Sequence, residues 1–117
     1  MNQITISEKD FTKQVIDLAH LHGWLVAHFR TAMTKRGNYM TPVQADGKGF
    51  PDLVLVSTKQ SRVIFAELKA EKGKLSPAQS LWLNTLEFTP MEVYVWRPSD
   101  FDEINRILSP GARKGTG

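Results

Sequence analysis

Apolar residues recur along this chain with two different periods. Phe11, Val15, Leu18, Ala19 and His22 return at helical spacing after Ser7-Glu8-Lys9-Asp10, which predicts an amphipathic helix capped by Ser7 and ended by Gly23. Trp24 to Phe29 predicts a strand. Thr31 to Lys48 has no sustained apolar face and contains Gly37, Asn38, Pro42 and Gly47. It reads as a long loop, which in a compact domain is usually functional or mobile. Leu53 to Val56 and Arg62 to Lys69 predict two further strands. The short Lys59-Gln60-Ser61 turn joins them as an antiparallel hairpin. Ser76-Pro77-Ala78-Gln79 opens a second helix, with serine as cap, proline at the first position and glutamine at the third. Its predicted apolar face is Ala78, Leu81, Trp82, Thr85 and Leu86. Met91 to Trp96 predicts a fourth strand, and Ser99-Asp100-Phe101-Asp102 caps a last helix through Ile104, Ile107 and Leu108. The order α-β-β-β-α-β-α predicts an α/β sandwich around a four-stranded sheet, with one domain over 1–109 and a disordered polar tail over 110–117.

Composition narrows this picture. A chain of 117 residues, 41% hydrophobic and 23% charged, suits one soluble globular domain. Cysteine is absent, so disulfides and thiolate metal sites are excluded and any metal must take oxygen or imidazole ligands. No apolar run has the length of a membrane span. The first residues lack the layout of a secretion signal, and a cytoplasmic protein is expected. The net charge of +3 says little by itself. Its distribution says more: Arg30, Lys35, Arg36 and Lys48 punctuate the long loop, and Lys72 and Lys74 follow Lys69. These clusters are candidate phosphate contacts, or equally solvated loop charges.

Three charged positions sit on the apolar strands. Side chains alternate along a strand, so Val63, Phe65, Glu67 and Lys69 share one face while Ile64, Ala66 and Leu68 share the other. Asp52 shares a face with Val54 and Val56. A helix on each side of the sheet would bury both faces, and buried carboxylates need a cation or strong hydrogen bonds. Counting inward from the hairpin turn brings Asp52 and Glu67 level, with Lys69 one pleat further on. Two carboxylates and an ammonium at one spot suit Mg²⁺ or Mn²⁺ and phosphodiester chemistry. His28 alternates with Val26 and Trp24 and could face the same place. Each residue also has an ordinary structural use: Asp52 as a strand-start turn aspartate, Glu67 with Lys69 as a sheet-edge ion pair. His20 and His22, two apart on a helix, make a poor metal pair.

Pro51-Asp52 followed by Glu67-Leu68-Lys69 resembles the PD-(D/E)XK nuclease signature, whose superfamily core has the same αβββαβ order. More narrowly, Gly49-Phe50-Pro51-Asp52-Leu53, Ala66-Glu67-Leu68-Lys69, Leu75-Ser76-Pro77-Ala78-Gln79 and Val93-Tyr94-Val95-Trp96-Arg97-Pro98 resemble the stand-alone VRR-NUC domain of phages and bacteria. The resemblance runs from about Ser7 to Leu108. It implies a restriction-endonuclease-like fold with a four-stranded mixed sheet flanked by helices, plus a C-terminal helix. Asp52 and Glu67 would be metal ligands, joined by the Leu68 backbone carbonyl and by Glu8, and Lys69 the catalytic lysine. Gln79 would support the site or touch DNA, although its place after a serine cap is also where a capping box takes glutamine. The chain departs from the family pattern in a longer loop between Phe29 and Gly49, and in Phe88-Thr89-Pro90-Met91 where a glycine turn is common.

The activity so implied is metal-dependent, structure-selective hydrolysis of DNA, with branched DNA such as a Holliday junction as substrate. A homodimer, no organic cofactor and no membrane partner are expected. A sequence-specific restriction-like enzyme shares the fold, and so does a DNA-binding or assembly protein that does not cut. Intact Asp52, Glu67 and Lys69 argue against the last.

Overall fold

The computed structural model describes residues 6–29 and 43–111, together with the backbone at 32–33 and 39–40. The expected tail beyond residue 111 and the candidate contacts Arg30, Lys35 and Arg36 lie outside the described residues. Ser7 Oγ accepts the Asp10 N–H at 3.1 Å and opens α1 (Glu8–Leu21). Gly23, at φ +82°, turns the chain into β1 (Leu25–His28). Two short strands, β2 (Ala32–Met33) and β3 (Tyr39–Met40), pair antiparallel inside the segment expected to be structureless. Strands of two residues carry too little alternation to register as a period.

The expected hairpin is β4 (Leu53–Ser57) and β5 (Arg62–Leu68), so Lys69 stands just past the strand end. Then come α2 (Pro77–Glu87), β6 (Glu92–Trp96), a 3₁₀ turn at Pro98–Asp100 and α3 (Phe101–Leu108). The 3₁₀ turn carries the chain into α3. Asp100 Oδ2 accepts the Arg97 N–H at 2.9 Å, so its side chain does not cap the helix as its sequence position suggested. The main sheet has the order β1-β4-β5-β6. β1, β4 and β5 run antiparallel, while β6 lies parallel to β5 because α2 carries the chain back across the sheet. The fold is thus α/β, with a four-stranded mixed sheet flanked by helices and a C-terminal helix, as the αβββαβ order implies.

One face of the sheet is closed. Leu53, Leu55, Ile64, Ala66 and Leu68 are buried with Phe11, Val15 and Ala19 of α1 and Ile104, Ile107 and Leu108 of α3. Full burial of such side chains contributes about 1.5–3 kcal/mol each. The other face is not closed as expected. α2 packs along β6, where Leu83 and Val93 are buried, but Val54, Val56, Val63 and Phe65 are only half-buried. The stripe of α2 that faces inward is Gln79, Trp82, Leu83 and Leu86, while Leu81 is 67% exposed and Thr85 is exposed. The predicted stripe was one residue out of step. Leu81, Trp82, Leu83 and Leu86 spread apolar character too widely round the helix to specify a face.

A buried polar network locks the far end of the sheet. Arg62 Nε and Nη2 donate to Glu92 at 2.7 Å each, and Arg62 Nη1 donates to Gln60 Oε1 at 2.7 Å. Tyr94 donates to the same carboxylate at 2.9 Å, and burial followed by that contact pushes its hydroxyl pKa up to about 12. Gln60 and Trp24 both donate to the Leu108 carbonyl, and the Arg62 guanidinium lies 5.0 Å over the Trp24 ring. The hairpin turn, the start of β6, the start of β1 and the end of α3 are thereby tied together. Among the described residues, no helix is long and apolar enough to cross a membrane.

Candidate active site

Register and anchoring place the two carboxylates. β4 and β5 pair Leu53 with Ala66, so the next step of the ladder brings Asp52 level with Glu67. The approach to Asp52 is held against α2. Gly49 has φ +83°, and a Cβ there would lie 2.5 Å from the Ala78 carbonyl carbon, so only glycine fits this close approach. Phe50 packs edge-on to Phe29, Phe65 and Trp82, with centroids 5.4, 6.1 and 5.0 Å away. Asp52 Oδ2 accepts the Leu68 N–H at 2.9 Å, so the side chain extends the ladder where backbone pairing stops.

Glu67 is 1% exposed. Its Oε2 accepts Gln79 Nε2 at 2.9 Å and lies 3.7 Å from Lys69 Nζ, while its Oε1 is buried with no partner among the described residues. Burial, and after it the Asp52 charge, push its pKa up to about 8; Lys69 opposes the shift. A buried carboxylate with an idle oxygen, beside the half-buried Asp52, fits a cation, and these hard oxygen donors suit Mg²⁺ or Mn²⁺. The main-chain groups of a strand residue point toward the same neighbour. The Leu68 carbonyl therefore lies on the side where Asp52 takes the Leu68 N–H. No three histidine or acidic side chains among the described residues gather tightly enough to hold an ion by themselves. The remaining ligands of such an ion would be water, which Mg²⁺ retains readily.

Gln79 makes two sets of contacts, one with the helix cap and one with Glu67. Its Oε1 accepts the Ser76 N–H at 2.9 Å while Ser76 Oγ accepts the Gln79 N–H at 3.2 Å, which completes a capping box. The same amide turns its Nε2 to Glu67. Because the cap fixes the amide, it also holds Glu67 Oε2, and Oε1 is the oxygen left without a partner among the described residues.

A cleft of about 780 Å³ opens over this pair. It is lined by Glu8, Lys9, Thr12, Lys13 and Ile16 of α1, by His28 and Phe29 at the end of β1, and by Asp52, Glu67, Lys69 and Gln79. Glu8 and His28 line this cleft, although the register sets His28 opposite Leu53, on the sheet face away from Asp52. Lys48, Lys72 and Lys74 are exposed but do not line it. The turn that carries Lys72 is held by Arg97, whose Nη1 donates to the carbonyls of Ala70, Gly73 and Glu71 at 2.6, 2.8 and 3.2 Å. The cleft wall Lys9, Thr12, Lys13, Ile16 and the rim residue Phe29 were missed in the sequence. One signal was available: positions 8, 9, 12, 13 and 16 form a helical stripe apart from the buried Phe11, Val15 and Ala19.

A family model described as the VRR-NUC domain matches residues 25–100, from β1 to the 3₁₀ turn. α1, with Glu8, lies outside the matched range. No curated protein and no solved structure matches the chain.

Proposed function

The chain belongs to the VRR-NUC family of nucleases, and from that premise we propose that it is a Mg²⁺- or Mn²⁺-dependent endonuclease selective for branched DNA such as four-way junctions. The observation that carries this reading is the buried, unpartnered Glu67 oxygen beside Asp52 and Lys69. Asp52, Glu67 and the Leu68 carbonyl would hold the ion, and Glu8, lining the same cleft, completes the proposed acid set. These residues would hold a divalent ion, which would supply charge to offset the phosphate and to lower the pKa of an attacking water. Lys69 donates to the phosphate and stabilises the charge that builds as one P–O bond forms and the opposite one breaks. The products are a phosphate monoester and a hydroxyl. Asp52 stays in place through the Leu68 N–H, and Glu67 through Gln79.

The assembly we propose is a homodimer, so that two sites incise two strands. Leu81 and Phe88, seven apart on one side of α2 and its C-terminal cap and 67% and 93% exposed, supply apolar surface of the kind a partner covers. A cytoplasmic location accords with the absence of cysteine.

The test is cleavage of labelled four-way junction, flap and linear duplex DNA in EDTA, Mg²⁺ or Mn²⁺. We expect paired cuts at the junction that require metal. Cutting at one defined sequence in linear duplex would replace branch selectivity with sequence recognition. Tight binding with no cleavage of any substrate would overturn the nuclease reading.

Gln79 gives a second test. Gln79→Ala is expected to weaken Mn²⁺ binding by about 10- to 100-fold, because the group that orients a ligand is lost. It should also cost roughly 1 kcal/mol of stability, because the Ser76 N–H loses its partner in the capping box while Ser76 still caps the helix. Calorimetric titration beside urea denaturation separates the two; unchanged Mn²⁺ affinity would make Gln79 a helix cap alone.

A further inference from the structure

Phe29 follows β1, and its N–H donates to the Asp52 carbonyl at 2.9 Å. The ladder that pairs His28 with Leu53 therefore continues one residue. By strand alternation Phe29 stands on the same face as Asp52 and Glu67, directly across from Asp52. An aromatic in that place would ordinarily be core. Here it is 45% exposed on the rim of the cleft. It is also held from behind. Phe50 meets it edge-to-face at 5.4 Å and 88°, and Phe50 is braced by Phe65 and by Trp82, whose indole donates to the Asp46 carbonyl at 2.9 Å. A T-shaped contact of this kind leaves at least one face of the Phe29 ring free of Phe50, whichever ring supplies the edge.

The cleft wall formed by α1 carries two lysines beside the acid Glu8. Lys9 is exposed and has no acid paired to it among the described residues, whereas Lys13 shares its charge with Asp17 at 2.9 Å. Lys9, Lys69 and Phe29 line one cleft, so a strand whose phosphates are drawn to the two lysines passes the Phe29 ring.

We propose that Phe29 is a stacking platform for an unpaired base next to the scissile phosphate. The assignment rests on the nuclease reading above and deepens it by naming the substrate class. A base inside a duplex has both faces covered by its neighbours. Only a base at a branch, gap, frayed end or single strand offers a face without first being unstacked, a step that itself costs free energy. The platform thus supplies selection for interrupted stacks without any reading of base edges.

The experiment pairs a binding readout with a rate. 2-Aminopurine is placed in turn on either side of the cut in a four-way junction, and its fluorescence is followed on binding to Asp52→Asn protein in Mg²⁺. Quenching is expected at one position. It should be lost with Phe29→Ala in the same background and kept with Phe29→Trp. In the otherwise wild-type enzyme, Phe29→Ala should slow junction cleavage roughly 5- to 150-fold, with thermal melting confirming that the variant folds. An abasic site at the quenched position should slow the wild type to the same extent and slow Phe29→Ala no further. Quenching that ignores Phe29, or equal rates for wild type and Phe29→Ala, overturns the platform even if the enzyme cuts junctions. Phe29-dependent quenching by a protein that cleaves nothing keeps the platform and overturns the nuclease reading.

Discussion

Asp52→Asn lowers phosphodiester cleavage by at least about 10³-fold and leaves DNA binding within a few-fold of wild type. The change keeps the side-chain shape, and the asparagine oxygen can still accept the Leu68 N–H that Asp52 takes at 2.9 Å. What disappears is one of the two charged donors proposed to hold the ion. The phosphate contacts proposed to govern affinity are those of Lys9 and Lys69, which this change leaves in place. The variant also separates the chemistry from the fold through its pH dependence. Glu67 rises from 4.5 to about 8 in the folded protein, by burial first and by Asp52 second. Between those values the folded metal-free protein holds a proton that the unfolded chain has released, so stability falls as pH climbs through that window and levels off above it. Removing the Asp52 charge removes the second cause, so the decline becomes shallower and the variant is the more stable protein at pH 9. Urea denaturation in EDTA at pH 5, 7 and 9, beside a junction-cleavage assay, reads both effects. Cleavage at the wild-type rate would sink the site assignment. Parallel pH profiles for the two proteins would sink the account of carboxylate repulsion.

Glu92→Ala costs about 3–5 kcal/mol of stability, far from the cleft. It strips Arg62 of two of its three 2.7 Å bonds, leaving the one to Gln60, in a place where the two side chains are only 5% and 7% exposed, and it leaves Tyr94 without its acceptor. A guanidinium left buried and unpaired is the expensive outcome; the attraction within an intact pair is largely offset by desolvation. The loss is a large share of the roughly 5–15 kcal/mol that holds a domain together. Replacing the pair together, by Arg62→Met with Glu92→Leu, should recover much of it. Denaturant midpoints at constant slope provide the measurement. A single-variant loss under about 1 kcal/mol would show that Arg62 reaches water or another partner.

How much of this was legible depended on distance along the chain. Asp52 and Glu67 could be set side by side because a short turn and a strict two-residue alternation define a register by counting. Gln79 could be read as a capping residue because its partner Ser76 is three positions away. Its second bond, to Glu67, depends on how α2 is rotated over the sheet. That rotation was misjudged because apolar residues spread over more than half of the helix. Arg62 and Glu92 gave no signal at all. Their pairing follows from the parallel alignment of β5 and β6, set by a crossover that sequence periodicity does not measure.

Local spacing alone therefore determined the order of the helices and of the four main-sheet strands, the hairpin register and the level placement of Asp52 and Glu67, since each follows from steric periodicity over a few residues. The tertiary structure decided what those groups experience. Docking of α1 makes Lys9, Thr12 and Lys13 a cleft wall, partial cover by α2 leaves Phe29 exposed beside Asp52, and close packing at Gly49 and Gln79 leaves one oxygen of Glu67 dry and unpaired. Burial and solvation belong to the space between elements, and no pattern along a single element specifies them.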